Sequence, residues 1–574
     1  MSAKSVLLVG ATGAFGERLA EGLIRSGICV IGVARDKTRL EQVARRLGVG
    51  FRIKAMERHQ IDSAFLTAFH ADCPGLFAVA DASGPFQHSD YRLPRAAIGS
   101  GLHYVDLADA RGFVRGITGL DPEASAAGVA VLAGASSTPA LSHAAIDRMV
   151  AGARRVTTID VSIAPGNRAP RGLSVMRSIL STVGRPIRVF RGGDWVDAAG
   201  WSLNKTIDLP GIGKRSAALC ETPDLDLLVE RYHPTSDAVF RAGLELPLLH
   251  WSVAGLGLLV RLGLVNSLEP WARPLRWLAD MFKPFGTDRG GMRVDVVLED
   301  HDGQGVRRTW TLAAGAGDGP YVPTLPSLAA LKMLAANQLD WRGAAPCTGL
   351  IPYDRIAAEF ASHDITAGFA ETALPPSLFR FLLGDAYDTL PAAIREAHDV
   401  RGVLILTGSA DAAGSDNFLG GWMARILRFP RRDSAMPLQV EMRREDDGSE
   451  TWTRTYPDVT MRSNLRDADP ATRQLDEAFG PISVRLQWFV IHGGLSLTGI
   501  DAKLFGIPLP GFFCPRTHAT ETVGSTGQFS FDVTISLPLL GVIARYKGHL
   551  QPRIPVEDLR PSASPRLPPP PPAR

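Results

Sequence analysis

Three glycines carry the first chemistry in this chain. Gly10, Gly13 and Gly16 recur at three-residue spacing between a short apolar run, Val6 to Val9, and a stretch, Glu17 to Ile24, with apolar residues at helical intervals. A glycine turn between a strand and a helix offers bare backbone N–H groups and the positive helix end to a pyrophosphate. Gly10 permits the tight turn, Gly13 lets phosphate approach the main chain, and Gly16 lets helix and strand pack closely. Thr12, Ala14 and Phe15 lie inside the same turn and are expected to share the contact. At the end of the next strand, Cys29 to Ala34, a carboxylate would hold the ribose 2′-hydroxyl of NAD, but here Arg35 follows. Its planar fork suits a 2′-phosphate, so NADP is the expected cofactor, with Asp36 keeping NAD open.

Further along, Asp62 either reaches the adenine or caps the helix that begins there. Ser83, Gly84 and Pro85 form a turn where a nicotinamide ribose would lie. Asp106 is the candidate to fix substrate or nicotinamide, with Tyr104 or Asp109 as proton partners, while His103 reads as a strand residue rather than a base. Arg171 and Arg177 read as solvated ion pairs, the alternative being that they orient an anionic substrate.

Strands alternating with helices through residues 1–150 predict a doubly wound parallel sheet. Candidate strands are Val6 to Val9, Cys29 to Ala34, Arg52 to Ala55, Leu76 to Ala80, Gly101 to Asp109 and Val129 to Leu132. A mixed α/β region, 151–368, follows, then a linker at 365–376. A β-rich region at 377–555 and a proline-rich, disordered tail at 556–574 complete the predicted plan, an α/β protein overall.

The motifs G-A-T-G-A-F-G, A-S-G-P-F, Y-V-D-L-A-D and A-S-S-T-P-A-L-S, in that order, resemble the saccharopine dehydrogenase-like oxidoreductases. The resemblance covers roughly residues 1–370 and implies a dinucleotide domain whose substrate cleft is completed by a mixed α/β domain, with W-R-G-A-A-P-C-T-G-L-I-P near the end of the latter. Where many members have a Gly-Glu pair after Y-V-D, this chain has Asp109 and Ala110, so the lysine-pathway substrate does not carry over. The last third resembles an uncharacterised domain fused behind such oxidoreductases, through Glu450-Thr-Trp-Thr-Arg454, Phe479-Gly-Pro481, Gly506-Ile-Pro-Leu-Pro510 and Tyr546-Lys-Gly548. Within it, Glu450, Arg454 and Glu521 are expected as cross-strand surface pairs, the alternative being a polar cluster inside a β cup. None of the eight tyrosines has lysine four residues later, which excludes the usual tyrosine–lysine pair of short-chain dehydrogenases.

The charge balance, 62 basic against 59 acidic residues, argues against a nucleic-acid partner. Five scattered cysteines give neither a disulfide framework nor a metal spacing, and the apolar run after Lys4 is too short for a secretory signal, so a cytoplasmic location is expected. The most apolar window, Leu246 to Val265, is interrupted by His250 and Arg261, which weighs against a span. With Trp271 to Trp277 it reads as a buried helix pair or a homodimer contact, peripheral membrane contact through 246–277 being the other reading. The leading functional expectation is hydride transfer on a small-molecule substrate. A dinucleotide-sensing protein without turnover and a membrane-surface lipid handler are the alternatives.

Overall fold

The computed structural model describes residues 3–170, 172–415, 433–445, 447–538 and 540–552. Arg171, Asp446 and the proline-rich tail lie outside them.

The chain opens as its pattern predicts. Strand β1 (Ser5–Val9) leads into helix α1 (Ala14–Arg25), followed by β2 (Cys29–Ala34), α2 (Lys37–Leu47), β3 (Phe51–Ala55), α3 (Ser63–Asp72), β4 (Leu76–Asp81), α4 (Arg92–Gly99), β5 (His103–Asp106) and β6 (Ala130–Ala133). Val6, Leu7 and Leu8 are fully buried, because a parallel strand covered by helices on both faces has no solvent side. Each such side chain is worth about 1.5–3 kcal/mol of burial.

The first sheet has seven parallel strands in the order Gly343–Pro346, β6, β5, β4, β1, β2, β3. The order reverses between β1 and β4, the position at which open α/β sheets leave room for a ligand at the carboxyl ends of their strands. Its outermost strand corrects the sequence reading, which put W-R-G-A-A-P-C-T in the second region. Gly343–Pro346 instead pairs with β6 from Ala130 to Ala133. The helix Leu325–Ala335 returns with it and packs on α1, where a Cβ on Gly22 would lie 2.7 Å from Leu328 Cδ2. Tyr321 adds a hydrogen bond to Glu21 at 2.8 Å.

The second sheet has nine strands and is mixed. Arg155–Ala164 at its centre pairs in parallel with Asp237–Leu244 and antiparallel with Gly290–Glu299. The expected linker is another correction: Ile365–Ala373 is a strand of this sheet, registered against Gly305–Ala314.

The helix pair at the apolar window is also not buried as expected. Of Pro247–Arg261, only His250 and Gly257 are buried, while Trp251 is 53% and Leu248 62% exposed. Trp277 on Ala272–Met281 is 68% exposed. One side of the pair packs on the second sheet through Val253, Leu256 and Leu275, and nothing described covers the other. No helix among the described residues is long and apolar enough to cross a membrane.

The last region is an 11-stranded sheet closed into a barrel where Ile482–Ile491 pairs with Gly494–Leu504, leaving the short strand Ile507–Pro508 outside the ring. The short helices Leu378–Leu383 and Ala392–His398 contribute Phe379, Leu382 and Ile394 to the barrel's core. Glu450, Arg454 and Glu521, expected on the surface, have inward side chains: Glu450 is fully buried and Glu521 is 7% exposed. Strand alternation accounts for this, since Glu450, Trp452 and Arg454 are two apart and share the interior face.

Candidate functional site

The turn after β1 has the geometry of an anion cradle. Gly10 has φ of +79°, and its N–H and that of Ala11 donate to the Val33 carbonyl at 2.9 and 3.2 Å, so the turn is fixed to β2. A Cβ on Gly10 would meet the Ala82 and Ser83 backbone at 2.8 Å, and one on Gly16 would sit 2.2 Å from the Gly10 carbonyl oxygen. These two glycines are required by packing. Gly13 is different, since a Cβ there would meet only the Gly10 oxygen at 3.2 Å and the Ala82 oxygen at 3.9 Å. It is the N-cap of α1 and supplies no side-chain acceptor, which leaves the first N–H groups of the helix without an intramolecular partner. Uncapped donors at a helix start beside a switch point suit a pyrophosphate. Around them Thr12 and Phe15 are half-buried and Ala14 is exposed.

Arg35 is exposed just past β2 on the same edge. Asp36 is committed elsewhere: its carboxylate accepts from Arg39 N at 3.1 Å and caps α2. Asp62 likewise caps α3 through Phe65 N at 2.8 Å, the second of its two expected roles.

Ser83, Gly84 and Pro85 follow β4 and are held by a network the sequence did not announce. Asp81, fully buried at the end of β4, accepts from Ser83 N at 2.9 Å and Ser83 Oγ at 2.5 Å. Arg58 Nε donates to its other oxygen at 3.0 Å, and the Tyr104 hydroxyl does so at 3.4 Å. Asp81 was visible as a carboxylate ending an apolar strand before Ser-Gly-Pro, whereas Arg58, from the single turn Arg58–Gln60, carried no sequence signal.

Two expected catalytic residues turn out to be sealed. Tyr104 and Asp106 have no exposed surface in this structure. The Asp106 carboxylate accepts from Ala108 N at 2.9 Å and Gly134 N at 2.7 Å, tying the exit of β5 to that of β6. Burial, with the nearby Asp81 charge, pushes its pKa up to about 7 against those two N–H groups. His103 accepts from Ala130 N at 3.0 Å, and burial lowers its pKa to about 4, consistent with a neutral strand residue.

The Asp106 shift gives a testable pH dependence. Unfolded, the carboxyl ionises near its ordinary 3.8; folded, it keeps its proton to about pH 7. Its contribution therefore weakens the fold progressively as pH rises from about 4 to about 7 and stays constant above. Asp106→Asn retains an acceptor for Ala108 and Gly134 and carries no charge. Its denaturant stability relative to the parent is expected to be clearly higher at pH 8 than at pH 5. A difference independent of pH would remove Asp106 as a buried acid.

Asp109 remains at the cleft. It is half-buried beyond β5 and accepts from Gln87 Nε2 at 3.4 Å, and Gln87 also donates to Ser178 Oγ at 2.5 Å on the helix Leu173–Thr182. Burial raises the Asp109 pKa, and its charge together with burial pushes the neighbouring Cys220 thiol up to about 12. Ser174 reaches the Gly84 carbonyl at 3.5 Å. The carboxyl end of the first sheet is thus flanked by the loop after β4 and by Leu173–Thr182, which touch each other there. Arg111 holds the two layers together through Asp226 at 2.7 and 2.6 Å. The A-S-S-T-P-A-L-S segment does the same from behind, with Ser142 Oγ at 3.1 Å from buried Asp224 and Thr138 bonded to the same carboxylate. Arg177, expected in a solvated ion pair, is exposed and enters no hydrogen bond or ion pair among the described residues. No group of three or more metal-ligating side chains occurs among the described residues.

A family model described as a domain of unknown function (DUF4166) matches residues 390–550, which form most of the barrel. No curated protein matches the sequence. Among solved structures, the chain is similar to a saccharopine dehydrogenase (L-Glu forming) from Saccharomyces cerevisiae, at 16% identity and a TM-score of 0.49, covering 64% of this chain and 100% of that one. It is also similar to a metagenomic short-chain oxidoreductase in complex with NADP, at 19% identity and a TM-score of 0.19, covering 23% and 81%. A short-chain dehydrogenase from Streptomyces avermitilis matches at 20% identity and a TM-score of 0.18, covering 23% and 65%.

Proposed function

We propose that this chain is an oxidoreductase that uses a nicotinamide dinucleotide, NADP ahead of NAD, and acts on a small molecule beside the loop after β4 and the helix Leu173–Thr182. The observation that carries the reading is the uncapped start of α1 behind the Gly10–Gly16 turn, at the reversal of strand order. When bound, the nicotinamide gives or takes a hydride. The protein's part is to hold donor and acceptor carbons in register and to manage a proton. In this reading the glycine turn and the N–H groups of Ala14, Phe15 and Gly16 hold the pyrophosphate, and Arg35 meets the 2′-phosphate. Asp81 and Arg58 fix the Ser83–Pro85 turn under the nicotinamide ribose. Asp109, whose pKa burial raises, is the proton partner beside the substrate.

A second reading, a dinucleotide-sensing protein without turnover, is favoured by the sealing of Tyr104 and Asp106. One experiment separates them. Titration calorimetry with NADPH and NADH is expected to show binding, and Arg35→Ala to weaken NADPH by roughly 10-fold or more through loss of a charged hydrogen bond, with little effect on NADH. Mixing the NADPH complex with a panel of imines and ketones is then followed by loss of reduced-nicotinamide absorbance. Oxidation within a single turnover supports the enzyme, binding without oxidation of any compound selects the sensor, and absence of binding sinks both.

A further inference from the structure

The C-terminal barrel encloses a cavity of about 100 Å³. Most of its lining is apolar, including Leu465, Leu486, Leu497 and Phe529. Two of its lining residues, Tyr456 and Trp488, each only 3% exposed, carry a buried polar atom with no hydrogen-bond partner among the described residues, the Tyr456 hydroxyl and Trp488 Nε1. A buried donor left unmade costs about 1–3 kcal/mol, so each of these two lining residues stands to gain from an acceptor inside.

They lie toward different ends of the barrel. Trp488 packs edge-on against Phe379 of the short helices, with ring centroids 4.8 Å apart. Tyr456 lies past the far end of Glu450–Thr455, whose opening residue Glu450 accepts from Leu378 N of those helices at 3.0 Å.

The charges of the cavity are already engaged. Arg454 pairs with Glu477 at 3.2 Å and donates to Ser463 Oγ at 2.8 Å, and Glu521 bonds His398 at 2.7 Å. An anion entering would face two carboxylates without a free cation, and a cation would find its acceptors committed. We infer that the barrel is a binding site for a small, uncharged, largely apolar molecule bearing an acceptor oxygen such as a carbonyl, which receives the Tyr456 hydroxyl or Trp488 N–H. This site is separate from the dinucleotide turn and does not depend on the reading of that turn.

The test uses the full-length protein with 2-octanone, octanoate and octylammonium as probes, followed by saturation-transfer NMR and titration. The ketone is expected to bind saturably, with octanoate and octylammonium at least tenfold weaker. Tyr456→Phe keeps the ring and removes its donor, Trp488→Phe replaces the indole with a smaller ring without a donor, and at least one is expected to weaken the ketone by tenfold or more. Ala519→Leu, which fills the lining without touching either donor, is expected to block binding and serves if a donor variant does not fold. Failure of the ketone to saturate the parent protein, octanoate or octylammonium binding as tightly as the ketone, or undiminished ketone binding in the folded variants would each overturn the assignment.

Discussion

Gly13→Asp is expected to abolish dinucleotide binding while leaving the protein folded. The residue is the N-cap of α1 with extended φ and ψ of −80° and 163°, which aspartate adopts without strain. Its Cβ has to displace the Gly10 oxygen by only a few tenths of an ångström from 3.2 Å. Aspartate is moreover a preferred N-cap, so the helix stands to gain up to about 1 kcal/mol. The same carboxylate takes the N–H groups a pyrophosphate needs and adds a like charge a few ångströms from it. At an effective dielectric of about 20 that repulsion is about 4 kcal/mol, on the order of 100- to 1000-fold in affinity. Calorimetry with NADPH beside a thermal melt checks both halves. Parent-like affinity in a folded Gly13→Asp protein would remove the turn as the phosphate site.

The second large effect is expected at Asp81. Its carboxylate has no exposed surface, and it holds Arg58, Ser83 and Tyr104 at once. Asp81→Ala leaves the guanidinium of Arg58, itself 26% exposed, beside a cavity, with Asp90 at 4.0 Å as its remaining counter-charge. Removing one partner of a buried ion pair costs about 3–5 kcal/mol. Urea denaturation is expected to show a loss of that size, and the freed Ser83–Pro85 turn to weaken NADPH as well. Stability within 1 kcal/mol of the parent, on the scale where most surface changes fall, would show that Arg58 and Ser83 find other partners.

The glycine turn and most strands of the first sheet were legible because buried parallel strands read as apolar runs and the glycines are demanded by backbone contacts. Gly343–Pro346 was not, since Gly-Ala-Ala-Pro carries neither an apolar run nor an alternation. Ile365–Ala373 was taken for a linker because only Ile365 is buried, and an exposed edge strand has no inner face to pattern. In the barrel, Thr460–Asp469 and Arg516–Val523 went unread because inward apolar positions are diluted by outward polar ones and by Glu521 itself. Tyr104 and Asp106 had the right chemistry at the right strand end, yet a sequence does not tell whether a strand-end side chain points up into a cleft or stays beneath its floor. The opposite failure befell the helices at 247–281, where apolar content suggested burial that the second sheet supplies on one side only.

The late return of Gly343–Pro346 to the edge of β6 bears on how the molecule is made. A ribosome extrudes β1 to β6 first, and that edge then waits for roughly 200 further residues, tens of seconds at about 5–20 residues per second. Until they emerge, β6 presents unpaired main-chain groups to the cell, and the face of α1 awaiting Leu328 stays uncovered. The half that carries the glycine turn is therefore finished only after most of its companion sheet has been translated, so the two halves mature together instead of in sequence.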